Sequence, residues 1–360
     1  MVNNIFRKKI KMRLLLLTIA LSITLSSVAQ SDTTKSNNTF ADHWVFAGVA
    51  IDEPDFMTWG ASPIVDDNGK YHLFSERWPK KYKVDPGWRS HSEIAHYVSD
   101  YPEGPFQFSD IVIRGTGKNT WDKYSTSNPT IHKVGSQYVL FYIANDNPNM
   151  PPHPANQKIG LVMSTSLYGP WKRVGKDGMI LSPPTDSAYW NYKAGNGVNN
   201  PAFYQHPKGG YFLYFKSAKA KMGLAVAQNV LGPYIELPFP VTTNETSIED
   251  GYAFTYNGKV AILTTDNHGI IEEGGGILWT SDDGIKFTSN EKGFHRLSTY
   301  IKVDLKAASV LYGSQARRYA KFERPQVLMI NGKPAYLYVA SGTNIAGQDH
   351  TVNYVLKYID

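Results

Sequence analysis

Hydrophobic and polar positions alternate in short runs from His43 to the end of the chain, and the runs recur as a repeat. The first copy is Ser62–Phe74: a small or polar residue, a proline or glycine, an apolar pair, a glycine-containing turn and an aromatic-rich second run. The same order returns at Asn128–Tyr142, Asn200–Tyr214, Asp250–Leu263 and Arg324–Tyr338. Period-two alternation closed by a turn with glycine, which supplies positive φ, predicts a β-hairpin in each copy. A second motif follows the first. Ile94–Phe106, Ile159–Trp171 and Met222–Tyr234 each end in Gly-Pro-aromatic, and Gly276–Phe287 is a looser fourth. Two motifs alternating in register argue for one structural unit used five times. Four strands per unit predict an all-β fold: a five-bladed β-propeller with blades of four antiparallel strands. The approximate blades are 52–115, 116–185, 186–240, 241–300 and 301–360. Strand-like segments His43–Ile51 and Thr351–Ile359 lie at opposite ends of this domain. Their pairing in the last blade would remove an exposed edge, so the propeller is expected to be closed by its N- and C-terminal strands.

The first residues follow another pattern. Arg7, Lys8, Lys9, Lys11 and Arg13 precede an apolar run from Leu14 to Leu25 and then Ser27-Val28-Ala29. A basic region, a short apolar core and a small-residue cleavage site predict a secretory signal peptide over 1–29. The apolar run is too short for a membrane span. Residues 30–42 are expected to be a flexible lead-in, and 43–360 a single catalytic propeller domain. The expected location is exported, periplasmic or secreted, with no membrane association after cleavage. The absence of cysteine rules out a thiol-linked lipid anchor and disulfides. Losing the leader takes the formal charge from +6 to +1, so the high pI gives no case for nucleic acid.

Candidate chemistry lies in loops and at the starts of the first-motif copies. Ser75–Ser92 carries Glu76, Arg77, Trp78, Lys80, Lys81, Lys83, Trp88, Arg89 and His91, and is expected to be a loop. It has two readings: an anion-binding lip with aromatic platforms, or a solvated basic loop with locally packed indoles. Trp121 and Trp190 are further possible platforms. In a propeller the innermost strands begin beside the central channel, so Ser62, Asn128, Asn200, Glu249-Asp250 and Glu323-Arg324 converge on one end of the axis.

These blade starts, with the Ser-Asp-x-x-x-Gly-Pro-Trp-like turns, resemble the five-bladed propellers of glycoside hydrolase family 43 across essentially the whole domain. The resemblance implies inverting hydrolysis by a blade-one Asp base, a second Asp that tunes, and a Glu acid from a later blade. The chain departs from that pattern. Ala61-Ser62-Pro63 stands where the family has roughly Arg-Asp-Pro, and Asn128 and Asn200 stand at two other acidic positions. Ser needs an activator to act as a base, and Asn cannot accept the proton. A blander reading is that Asn-Pro and Ser-Pro only end strands and cap turns.

The expected catalytic set is His91, His96, Glu93, Glu249 and Glu323. Arg77, Trp78, Ser62, Asn128, Lys193, Asn200, His268 and Arg324 are expected to bind substrate. His96 also fits a packed strand residue, and Glu323-Arg324 an internal ion pair. The chain is also similar to secreted propellers of marine polysaccharide breakdown, the oligosaccharide dehydratases of ulvan degradation. That resemblance implies an acidic oligosaccharide substrate and loss of water from its non-reducing-end unsaturated uronic acid. Two alternatives stand beside it: an exo-acting glycosidase with a base from Asp52, Glu53 or Asp55, and a non-catalytic sugar-binding propeller. No cofactor and no metal ligands are expected, because neither acidic stretch has zinc or EF-hand spacing. A structural Ca2+ or Na+ in the central channel is compatible with such propellers.

Overall fold

The computed structural model describes residues 38–147, 157–302, 321–346 and 349–360, with the side chains at 85, 219 and 349 excepted. The expected signal peptide lies outside these residues. Strand β1 (Trp44–Ile51) comes first in the chain and last in the fold. Blade 1 is β2 (Phe56–Val65), β3 (Tyr71–Pro79), β4 (Glu93–Ser99) and β5 (Gln107–Arg114). Blade 2 is β6 (Ser125–Val134), β7 (Gln137–Asn145) and β8 (Lys158–Ser164), with short β9 (Lys172–Arg173) and β10 (Met179–Leu181) both paired to β8. Blade 3 is β11 (Asn199–Gln205), β12 (Tyr211–Lys216), β13 (Met222–Ala227) and β14 (Ile235–Glu236). Blade 4 is β15 (Glu249–Tyr256), β16 (Lys259–Thr265), β17 (Gly276–Ser281) and β18 (Ser289–Phe294). Blade 5 is β19 (Glu323–Ile330), β20 (Lys333–Thr343) and β21 (Asp349–Tyr358), completed by β1. β1 runs antiparallel to β21 with Trp44 opposite Tyr358, the closure the two terminal segments predict.

The sequence dictates this stacking. Middle strands are buried on both faces, so they are continuous apolar runs; in β7 every residue from Tyr138 to Asn145 is buried. Each large apolar side chain so removed from water stabilises by roughly 1.5–3 kcal/mol. The core divides into five clusters, one per blade interface. Phe74, Ile131 and Leu140 join blades 1 and 2; Phe141, Phe203 and Leu213 join blades 2 and 3. Tyr214, Leu224 and Ile262 join blades 3 and 4; Phe254, Leu263 and Val327 join blades 4 and 5. Leu73, Tyr97 and Tyr338 close the ring between blades 5 and 1.

The propeller begins earlier than residue 43. Phe40–His43 is a 3-10 turn capped by reciprocal Thr39–Asp42 hydrogen bonds, and Phe40 and Ala41 are buried. Phe40 stands edge-on to Trp44 and Tyr256, which ties residues 40–42 to the core rather than to a flexible lead-in. The Ser75–Ser92 segment also differs from a loop. Ser75–Pro79 finishes β3, and Val84–Ser90 forms a short helix, α1.

The inner strands β2, β6, β11, β15 and β19 neighbour one another around the axis and all start at one end. Strand reversal puts segments 80–92, 217–221 and 266–275 at that same end, with the inter-blade connections 115–124, 182–198 and 237–248. This end is the mouth.

Candidate active site

Each inner strand enters the sheet through the same irregularity. Register slips between Trp59 and Ser62, Ser127 and Thr130, Asn199 and Ala202, Glu249 and Tyr252, and Glu323 and Gln326. The extra residue is left-handed in all five: Gly60 (φ 63), Asn128 (φ 51), Asn200 (φ 51), Asp250 (φ 61) and Arg324 (φ 54). Such a bulge re-aims a side chain. Here it brings four of the five together. Asn128 Nδ2–H donates to Asn200 Oδ1 (2.7 Å), and Asn200 Nδ2–H donates to Asp250 Oδ1 (2.8 Å). Asp250 faces the Arg324 guanidinium at 3.6 Å and accepts from Thr265 at 3.1 Å.

The bulge corrects the expected role of Ser62. Gly60, two residues earlier, is the counterpart of Asn128, and Ser62 is a buried inter-blade residue whose Oγ accepts from Ile131 N–H at 3.1 Å. Gly60 also makes room: a Cβ there would lie 3.1–3.3 Å from the Arg324 side chain. Arg324 is fully buried across the axis, reaching the Pro129 carbonyl at 3.5 Å. It therefore stands below the surface as part of the floor and does not meet a substrate carboxylate. With a guanidinium in that position, the residues of the axis do not fit a Ca2+ or Na+ ion.

Above the floor stand the residues that precede the bulges. Glu249 is 30% exposed and forms an ion pair with Lys216 of β12. Burial opposes its ionisation, but the Lys216 ammonium and side-chain hydrogen bonds from Lys216 and Asn267 outweigh it and hold the carboxyl below its usual value. Glu323, partly exposed one blade on, is pushed the other way. Burial, then the negative charges of Asp250 and Glu249, raise it to about 8 against the pull of Lys321. Lys321 is buried and donates to the Asn267 carbonyl at 3.3 Å. Asn267 is held by its neighbour Asp266, whose carboxylate accepts backbone N–H groups of Gly269, Ile270, Ile271 and Glu272 at 2.7–2.9 Å. His268, exposed on this loop, is at the rim.

Sequence reasoning missed Lys216 and Lys321 here, and named Glu76 only as part of the expected 75–92 loop. Glu76 is opposite Trp59 in the register, as Lys216 is opposite Asn199. It is buried, accepts from Asn128 N–H at 3.1 Å, and burial raises it to about 8. The available signal was the repeat itself: Glu76 and Lys216 each end a second run two residues past an aromatic, Phe74 or Tyr214.

Other expected residues stand elsewhere. Arg77 is enclosed by Glu53 and Glu93, with the Phe56 and Phe108 rings each 4.1 Å away, so its charge is spent inside the blade. Glu93 is bound to Arg77 and Arg114. Trp78 is covered by α1, where a Cβ on Gly87 would lie 2.4 Å from the indole. Trp121 stacks on Tyr142 and Trp190 packs against Gly223, so these indoles build walls rather than platforms. His96 is fully buried midway along β4, between the Phe74 and His72 rings. His91 is exposed after α1 and stacks on Tyr82, and Lys193 is exposed on the 182–198 connection. Asp52 pairs with His350 at 2.7 Å and Glu53 with Arg77 and Tyr97, so neither is a free base at the mouth.

No family model matches the chain, and no curated protein matches its sequence. Solved structures match its fold. A family 117 glycoside hydrolase, Zg3597 of the marine bacterium Zobellia galactanivorans, is 18% identical with a TM-score of 0.61 over 87% of this chain and 89% of that one. The β-xylosidase/α-arabinofuranosidase CoXyl43 from a compost metagenome is 14% identical, TM-score 0.55, over 88% and 94%. The endo-arabinase of Bacteroides thetaiotaomicron is 12% identical, TM-score 0.54, over 88% and 97%. At these identities the likeness is one of fold: the five-bladed propeller used by glycoside hydrolases.

Proposed function

We propose that the protein is a carbohydrate-active enzyme working by general acid–base catalysis at the mouth, and that it hydrolyses oligosaccharides. The observation that carries this reading is the Glu249/Glu323 pair. Two neighbouring, partly exposed carboxyls begin adjacent inner strands at the same end of the axis, and their surroundings push them to opposite protonation states at neutral pH. Glu323 would give its proton to the leaving glycosidic oxygen as the C–O bond breaks, and Glu249 would take one from the attacking water. The named activities of the similar folds support a plant or algal glycan as substrate. The basic and apolar pattern of residues 1–29, read as a leader, is in keeping with action outside the cytoplasm.

Elimination of water from an unsaturated uronate is a second reading, favoured by a separate observation. Both surface carboxyls stand on blades 4 and 5, while the matching positions of blades 1–3 are Trp59, Ser127 and Asn199. Proton transfer from one side suits elimination, with the positive charges of Lys216 and Lys321 beneath the carboxyls.

Product mass separates the two. The protein would be incubated with lyase-generated acidic algal oligosaccharides and neutral plant oligosaccharides. Addition of one water to the products establishes hydrolysis, and loss of one water establishes elimination. No change on either pool, with the fold intact, overturns both.

A further inference from the structure

The connection 182–198 carries a feature the acid–base pair does not use. Pro183, Pro184, Thr185, Tyr192, Lys193 and Ala194 line a cavity of about 480 Å3 at the rim, a volume in the range of small-molecule sites. Two consecutive prolines fix one wall. Tyr192 is 37% exposed, and the Lys193 ammonium lies 5.1 Å from its ring centroid. Among the described residues no carboxylate pairs with Lys193. Its backbone is left-handed (φ 56), a conformation that costs a non-glycine residue.

The shelf is also tied to the mouth. Asn191, next to Tyr192 and fully buried, reaches Ser217 Oγ at 3.3 Å, and Ser217 Oγ–H donates to the Gly197 carbonyl at 2.6 Å. Ser217 follows Lys216, the partner of Glu249. Downstream, Val198 N–H donates to the Gln157 carbonyl at 3.0 Å, and Asn199 leads into the bulge at Asn200. The C-terminal half of the shelf is therefore tied to Ser217, which follows the partner of Glu249, and leads into the bulge at Asn200.

We propose that Tyr192 and Lys193 form an outer subsite for an anionic sugar residue, one bearing carboxylate or sulfate, of a glycan that also reaches the mouth. The C–H face of the sugar lies on the exposed Tyr192 ring, and the anion meets the Lys193 ammonium. An aromatic face beside a cation that no carboxylate pairs with among the described residues selects this class over neutral sugars. The inference rests on the carbohydrate-active reading for its ligand, but not on the identity of the reaction.

The test uses an array of uronate-bearing, sulfate-bearing and neutral oligosaccharides. It is probed with the full chain carrying Glu249→Gln and Glu323→Gln, so that turnover plays no part. Retention of an acidic arm is expected, and which arm responds distinguishes carboxylate from sulfate. Lys193→Gln in that background should weaken the retention about tenfold. Lys193→Arg should restore it, and Tyr192→Ala should weaken it without changing the preference for acid. If acidic glycans are not retained, or Lys193→Gln retains them unchanged, the proposal falls. Lys193-dependent retention by a chain whose wild type turns over nothing would sink the acid–base reading alone. Turnover indifferent to Lys193 would sink the subsite alone.

Discussion

Blade 2 and blade 5 begin with the same bulge and make different use of it. In blade 2 the left-handed residue is Asn128, a type that tolerates positive φ, and its amide joins a neutral chain to Asn200. In blade 5 it is Arg324, for which positive φ is costly, held in place by Asp250 across a buried ion pair. The residues just before these bulges diverge in the same way: Ser127 and Asn199 in blades 2 and 3, Glu249 and Glu323 in blades 4 and 5. The backbone thus fixes where four side chains meet, with Gly60 leaving room for them, and those side chains divide the axis into a neutral half and an ionised half. On the proposed reading, chemistry is confined to the second half, where buried charges below bias the carboxyls above.

The largest break in this comparison comes from the pair itself. Glu323→Gln and Glu249→Gln should each lower turnover by roughly 10²–10⁴-fold, measured on whichever oligosaccharide pool reacts. Ser127→Ala, in the neutral half, should leave turnover within about threefold. Glu323→Gln should not destabilise the fold. A carboxyl raised from 4.5 to about 8 in the folded state loses stability as pH climbs through that window, because the unfolded chain ionises first. The Gln variant should therefore resist urea better than wild type at pH 8. A loss of both activity and stability would show Glu323 to be structural.

Next in size is the floor. Arg324→Met leaves Asp250 buried without its cation and should cost about 3–5 kcal/mol in urea unfolding. Arg324→Met combined with Asp250→Asn should recover most of that loss, because the uncompensated charge is gone. Equal losses in the single and double variants would show that Arg324 acts by filling space.

These contrasts explain what the sequence revealed and what it did not. Alternation and glycine turns are local properties, so five hairpins, their blade order and the terminal closure were legible. Convergence at the axis was legible too, because it follows from blade order. The exact counterpart residue was not: the bulge in blade 1 falls at Gly60-Ala61, and the proline of Ser62-Pro63 imitates the Asn-Pro motif two residues late. Arg77, Trp78 and His96 misled for another reason. Exposure of a cation or an indole is decided by partners distant in the chain. Glu53, twenty-four residues from Arg77, neutralises it, and Gly87 lets α1 close over Trp78. Lys216 and Lys321 escaped notice because a single lysine at a strand end has no sequence signature until its carboxylate partner is placed.

Acid tests the opposite end of the molecule. His72 Nδ1 and His96 Nε2 are 2.7 Å apart, with Asp66 3.5 Å from His72 and Asp110 3.0 Å from His96. Lys70 also acts on this pair, and the Phe74 and Tyr168 rings enclose it. Burial lowers His72 to about 4, with the His96 charge adding to the effect. A folded value below the unfolded 6.5 means the unfolded chain binds the proton first. Stability is full above 6.5, falls as pH drops towards 4 and levels off below it. The loss should reach roughly 3 kcal/mol, measured by urea unfolding between pH 7 and 4. Replacing both histidines with Phe should make that slope shallower, with buried His132, lowered to about 3, supplying the part that remains, and should leave the mouth's alkaline behaviour unchanged.

The smallest expected effect is the most discriminating for the ionised half. Lys216 and Lys321 both favour the charged forms of Glu249 and Glu323, but unequally: Lys216 leads at Glu249, and Lys321 precedes it at Glu323. Removing a neighbouring cation raises a carboxyl's pKa. Lys321→Gln should therefore move the alkaline limb of kcat/KM upward from about 8 by up to about one pH unit, with a lesser change on the acid limb. Lys216→Gln should do the reverse, lifting the acid limb most because Glu249 loses its ion-pair partner. If Glu323 donates the proton and Glu249 accepts one, the two variants must shift opposite limbs preferentially. Identical profiles would mean that a single group, or the pair as one unit, governs the reaction. Inverted profiles would exchange the roles of the two glutamates.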